Sequence, residues 1–190
     1  MKLSLGFRYM AASAFCFSIM SVLVKLAGQR LPTQEIVMLR SALVALICWA
    51  MLRAAGIDVR GNRRRLLLVR GFIGFLALSC FFYAVVHLPL ADATVIQYTN
   101  PAFTALIAVW FLGERIGVRE ALAVGAALAG VVLIARPAFL FGGGGLDPLA
   151  AGIALAGAIL SGAAYVTVRK LGATEAPLVI VFYFAVVSTI

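Results

Sequence analysis

The stretch LSCFFYAVVHLPLADATVIQYTNPAFTALIAVWFLGER, residues 78–115, decides the fold. Apolar residues fill both arms around the LPLAD turn, and the second arm carries Gln97, Tyr98, Asn100 and Pro101 in its outer half. About 20 apolar residues at 1.5 Å rise cross the roughly 30 Å of bilayer hydrocarbon. The stretch therefore reads as the end of one membrane-spanning helix, a short turn and a second span. Polar groups in lipid cost free energy unless they are partnered, so a polar cluster with a proline inside such a span needs a functional reason.

The rest of the chain fits this setting. Of 190 residues, 64% are hydrophobic and 12% charged, and the mean hydropathy is +1.10. That is too apolar for a soluble domain and fits an all-α, polytopic membrane helical bundle. Charge clusters and turn residues divide the chain into spans at about 6–27, 35–54, 68–88, 92–112, 118–136 and 149–170, with a seventh beginning near Pro177.

The net charge of +9 is topological. With the N-terminus cytoplasmic, twelve of the sixteen basic residues fall on the inner side, among them Arg60, Arg63, Arg64, Arg65 and Arg70. The Arg-rich run is then a topogenic loop beside anionic lipid, and no soluble module is left to bind nucleic acid. Cys16, Cys48 and Cys80 sit singly in apolar segments without metal-ligand spacing.

FLFGGGGLDP at 139–148 marks an outer linker. Beyond it the N-terminal pattern returns at an offset of 145: Ala11 with Ala156, Lys25 with Lys170, Leu26 with Leu171 and Pro32 with Pro177. A repeat unit of five spans places its second copy upside down, as in many secondary transporters. Residues 1–138 are then the first repeat and 149–190 an incomplete second one. The expectation is a fragment of a ten-span protein.

Polar residues within the spans are the site candidates. Ser18, Ser21 and Lys25 share a face of the first span, either as interhelical hydrogen-bonding groups with a snorkelling lysine or as a polar stripe on a translocation path. Arg40, near the outer end of the second span, is either an anion contact or an anchor. Gly71 and Gly74 of the third span admit a neighbouring helix, and Ser79, Tyr83 and His87 recur at helical spacing. In the fourth span Gln97, Asn100 and Thr104 share a face, with Tyr98 adjacent. Pro101 frees the carbonyl of Gln97 and kinks the helix, offering a polar group to substrate. Ala121, Gly125 and Ala129 of the fifth span form a packing face for a bundle or dimer.

All seven acids, Glu35, Asp58, Asp92, Glu114, Glu120, Asp147 and Glu175, lie at span ends or in loops. No carboxylate proton relay is therefore visible. No P-loop, HExxH motif or nucleophile elbow occurs, so neither an ATP-driven pump nor a membrane enzyme is indicated.

The run from Gly71 to Ala135, with YAVVHLPLADATVIQYTNPAFTALIAVWFLGERIG and EALAVGAALAGVVLIA, resembles the EamA-type branch of the drug/metabolite transporter superfamily. Ser21 with Lys25, and Arg40 in LRSALVAL, fit the same pattern. The resemblance implies ten helices in two inverted repeats with both termini cytoplasmic, in an inner (plasma) membrane. It also implies alternating access for a small polar metabolite such as an amino acid, a nucleoside or an S-adenosylmethionine-like compound. Gln97, Tyr98, Asn100, Thr104, Ser18, Ser21, Tyr83 and Arg40 are the expected substrate contacts, with no cofactor or metal. The partners are the lipid bilayer, the metabolite, and either a second copy or a C-terminal half. The competing expectation is a non-transporting scaffold, or a half-transporter that needs a partner.

Overall fold

The computed structural model describes residues 5–112, 117–135 and 146–189. The Gly113-Glu114-Arg115 turn and the glycines of the linker lie outside the described residues. Among the described residues the chain is helical, with no strand: α1 Leu5–Ala27, α2 Thr33–Ala54, α3 Arg64–His87, α4 Leu90–Gln97, α5 Asn100–Leu112, α6 Val118–Ala135, α7 Pro148–Leu171 and α8 Pro177–Val187. Four of these, α1, α2, α3 and α7, are long and apolar enough to cross a membrane unaided.

The expected fourth span, 92–112, is not one helix. It breaks at Tyr98 and Thr99 between α4 and α5. Pro101 has no N–H for the Gln97 carbonyl, and its ring crowds that carbonyl. The chain turns instead. The Tyr98 amide still bonds Thr94 O at 2.9 Å, whereas the Thr99 carbonyl accepts from the amides of Ala102 and Phe103 and so starts α5.

Small residues position the core. α3 packs against α7 along their length, and α7 also meets α4 and α5, while α8 lies against α2 and α3. On α7, a Cβ added at Gly157 would sit 2.9 Å from Cys80 Cβ, and one at Gly162 only 2.8 Å from the Thr104 backbone nitrogen. These approaches let helix backbones touch where lipid supplies no hydrophobic drive. Of the two uses expected for the small-residue face of α6, bundle or dimer, the described bundle does not make the first: Ala121, Gly125 and Ala129 are exposed, and nothing among the described residues lies within 4 Å of a Cβ added at Gly125. Leu5–Ala27 is exposed over most of its length, with Phe7, Tyr9, Met10 and Phe15 presented outward as lipid-facing residues would be.

Polar groups close the helix ends. Asp147 caps α7, its carboxylate accepting from the amides of Leu149 and Ala150, with Pro148 in the first turn. Glu175, buried in the α7–α8 turn, accepts from the amides of Asn62 at 2.8 Å and Arg63 at 2.5 Å. A carboxylate there satisfies the orphan donors and the positive end of α3. The Arg60–Arg65 loop is thus pinned to the second half of the chain, and the Tyr183 hydroxyl adds a bond to Arg60 O.

Candidate functional site

Where α3, α4, α7 and α8 converge, a partly open cavity of about 160 Å³ remains. Its polar wall comes from Arg70, Gln97, Ser161 and Tyr165, and its apolar wall includes Phe17, Phe81 and Phe184. Gln97 reaches it because it ends α4, one residue before the break. The Gln97 Nε2 group donates to Ser161 Oγ at 2.9 Å. Gln97 Oε1 is buried and has no hydrogen-bond partner among the described residues.

Arg70 is a residue of this site that the sequence reading missed, having counted it only among the inner-side charges. It is the seventh residue of α3, roughly 9 Å along the helix from its start. Its guanidinium lies over the Phe184 ring at 5.2 Å, and Nε and Nη1 are buried without partners among the described residues. Gly74, one turn on, creates the space: a Cβ there would collide with Arg70 Nη1 and stand 2.8 Å from Phe184 Cδ2. An arginine six residues into an apolar helix with a glycine at i+4 was the sequence signal for this arrangement. Ser161 was missed by sequence reasoning, and its bond to Gln97 spans 64 residues.

The other expected contacts scatter. Thr104 Oγ1 bonds back to the Asn100 backbone carbonyl at 2.8 Å, so the Thr104 hydroxyl is satisfied locally on α5. Tyr98 is 64% exposed and does not line the cavity. Ser18 is exposed and bonds Ala14 O, whereas Ser21 is buried and bonds Phe17 O. Tyr83 stacks on His87 with ring centroids 3.9 Å apart.

Arg40 lines a separate, largely apolar groove of about 340 Å³ between α1 and α2, its guanidinium 5.8 Å from the centre of the Phe82 ring. Lys25 neither snorkels freely nor faces the cavity. Its ammonium donates to Val85 O at 3.0 Å and Leu88 O at 2.6 Å, capping the carbonyl end of α3. No metal-binding cluster of His, Cys, Asp and Glu occurs among the described residues.

The family model for the EamA-like transporter family matches residues 4–136. Among curated proteins, the chain is 36% identical over 178 residues to the pseudopaline exporter CntI of Pseudomonas aeruginosa, covering 94% of this chain and 61% of that protein. It is 32% identical to human solute carrier family 35 member G1, covering 98% of this chain and 53% of that protein. An uncharacterized transporter of Helicobacter pylori is 30% identical over 159 residues, 82% of this chain and 52% of that protein. The chain thus spans between half and two thirds of the length of these relatives. No solved structure gave a significant match.

Proposed function

The chain belongs to the EamA-like transporter family, and from that premise we propose that it works in a secondary transporter moving a small polar metabolite across a cell's inner (plasma) membrane by alternating access. The observation that carries this reading is the Gln97–Ser161 pair, part-buried beside the broken α4–α5 helix at the edge of a cavity. Discontinuous helices with free backbone groups are a recurring way of binding substrate inside a membrane.

In this account Gln97 contacts substrate, Asn100 and Thr104 extend the polar face along α5, and Ser21 and Tyr83 support it from α1 and α3. Arg40 serves the second groove, and Tyr98 and Ser18 meet substrate only where a further surface closes over them. Pro101 keeps the helix broken. The positive-inside pattern supports a cytoplasmic N-terminus. Residues 1–138 form a first repeat, and α7 and α8 begin an inverted second one. An amino acid, a nucleoside or an S-adenosylmethionine-like compound is the proposed cargo.

Uptake and efflux profiling of a deletion strain against a metabolite panel tests the reading. A polar metabolite should change its distribution and be restored by the wild-type gene, and not by a Gln97→Ala, Asn100→Ala version. Restoration by the double variant at wild-type rate contradicts the site assignment. The open small-residue face of α6 favours a second reading, a half-transporter pairing with a second copy or a C-terminal half. Cross-linking through cysteines placed at Gly125 would reveal the self-pairing.

A further inference from the structure

A buried guanidinium with free donors is costly in a membrane, where unpaired charge is paired, hydrated or functional. Arg70 has aromatic contact with Phe184 and room made by Gly74. Its Nε and Nη1 lack acceptors among the described residues. Gln97 Oε1, in the wall of the same cavity, lacks a donor. The unmet groups are complementary to one ligand chemistry: an oxyanion accepting from Arg70, with an N–H or O–H beside it donating to Gln97. Arginine's planar fork matches a carboxylate, and the cavity of about 160 Å³ takes a head group and leaves the remainder of the molecule outside.

We propose that Arg70 and Gln97 form a carboxylate head-group subsite, so that the cargo is an organic acid with a hydrogen-bond donor near its carboxylate, as in an amino acid or hydroxy acid. This rests on the transporter reading for the word cargo, whereas the binding site stands on the geometry alone. Arg70 holds the carboxylate, Gln97 takes the neighbouring donor, and Ser161 fixes the orientation of the Gln97 amide. Uncharged nucleosides are then excluded as ligands of this subsite.

The test is binding to the full chain in lipid nanodiscs, read by calorimetry. The probes are α-amino and α-hydroxy carboxylates, their neutral carboxamides, sodium phosphate and sodium chloride. At least one carboxylate should bind, its carboxamide should bind about tenfold or more weakly, and chloride should not compete at equal concentration; phosphate, which also joins an oxyanion to an O–H, should compete less well than the carboxylate, and equal competition by phosphate overturns the carboxylate assignment. Arg70→Lys should weaken binding and Arg70→Met remove it, each with an unchanged helical circular-dichroism spectrum.

Because Arg70→Met can unsettle α3, Gln97→Leu is the second variant. It should lose discrimination between acids with and without the neighbouring donor. Equal binding of acid and carboxamide, binding unaffected by Arg70→Met, or no carboxylate bound by the wild type overturns the proposal. Carboxylate binding with no change in that acid's distribution in the deletion strain contradicts the transporter reading and leaves the subsite standing. Uptake of a neutral metabolite at full rate by Arg70→Met contradicts the subsite and leaves the transporter.

Discussion

Gln97 on α4 and Ser161 on α7 are joined by a 2.9 Å hydrogen bond across the wall of a cavity, tying the broken fourth span to the helix that follows the linker. A bond of this kind contributes about 1 kcal/mol net, and residues that share it are not energetically independent.

A double-mutant cycle should show this coupling. Gln97→Ala and Ser161→Ala should each lower stability, and the double variant should fall short of their sum by about 0.5–1.5 kcal/mol, measured by denaturation in mixed micelles. Strict additivity removes the bond from the account.

Glu175 is 7% exposed and receives two backbone amides at the start of α3. Glu175→Ala removes the acceptor of both amides, which belong to exposed residues. It should cost about 0.5–2 kcal/mol, as loss of a helix cap does, and lower the thermal midpoint in detergent, and Glu175→Gln should recover part of the loss through its remaining carbonyl oxygen. An unchanged midpoint for Glu175→Ala contradicts the capping role.

Two glycines with positive φ separate backbone strain from crowding. Gly56 (φ 65°) has open space around it, whereas a Cβ at Gly61 (φ 59°) would meet Leu67 Cδ1 at 2.7 Å and Glu175 Oε2 at 3.0 Å. Alanine at Gly56 should cost roughly 1 kcal/mol from the left-handed backbone alone, and at Gly61 clearly more. Thermal shifts of the two variants side by side check the order.

The close helix contacts give a third comparison. Gly162→Ala drives a methyl into the backbone of Phe103 and Thr104 and should cost about 1–3 kcal/mol, opening the α5–α7 contact. Gly125→Ala on α6 meets nothing within 4 Å among the described residues. It should be neutral or slightly stabilising through its better helix propensity. Equal destabilisation by both variants would mean that the α6 face is packed after all.

Much of this fold was legible because span length and hydropathy are local properties: the helix starts at Thr33, Leu90, Val118, Pro148 and Pro177 fall within a few residues of those expected. Pro101 announced the interruption of the fourth span. Long-range partnerships were not legible. Lys25 carried no sign that its ammonium would cap α3 at Leu88, nor Glu175 that it would bind amides more than 110 residues away. Arg70 was obscured by the arginines leading into it, which fit a loop explanation. The packing face was sought on α6, whose glycines look like those of α7. Which small-residue face is covered depends on a neighbour that composition does not name.

In the proposed function the cavity between α3, α4, α7 and α8 is an aqueous path within the membrane. Tyr165 borders that cavity and is 54% exposed, whereas Phe72, near Arg70 on α3, is 56% exposed on the bundle surface. The direct measurement is thiol labelling of Tyr165→Cys and Phe72→Cys in intact membranes, with Cys16, Cys48 and Cys80 replaced by alanine. Thiols react through the thiolate, which needs water. A membrane-impermeant reagent should modify Tyr165→Cys and leave Phe72→Cys unmodified; an inert Tyr165→Cys, or equal labelling at the two positions, would mean that no such path exists.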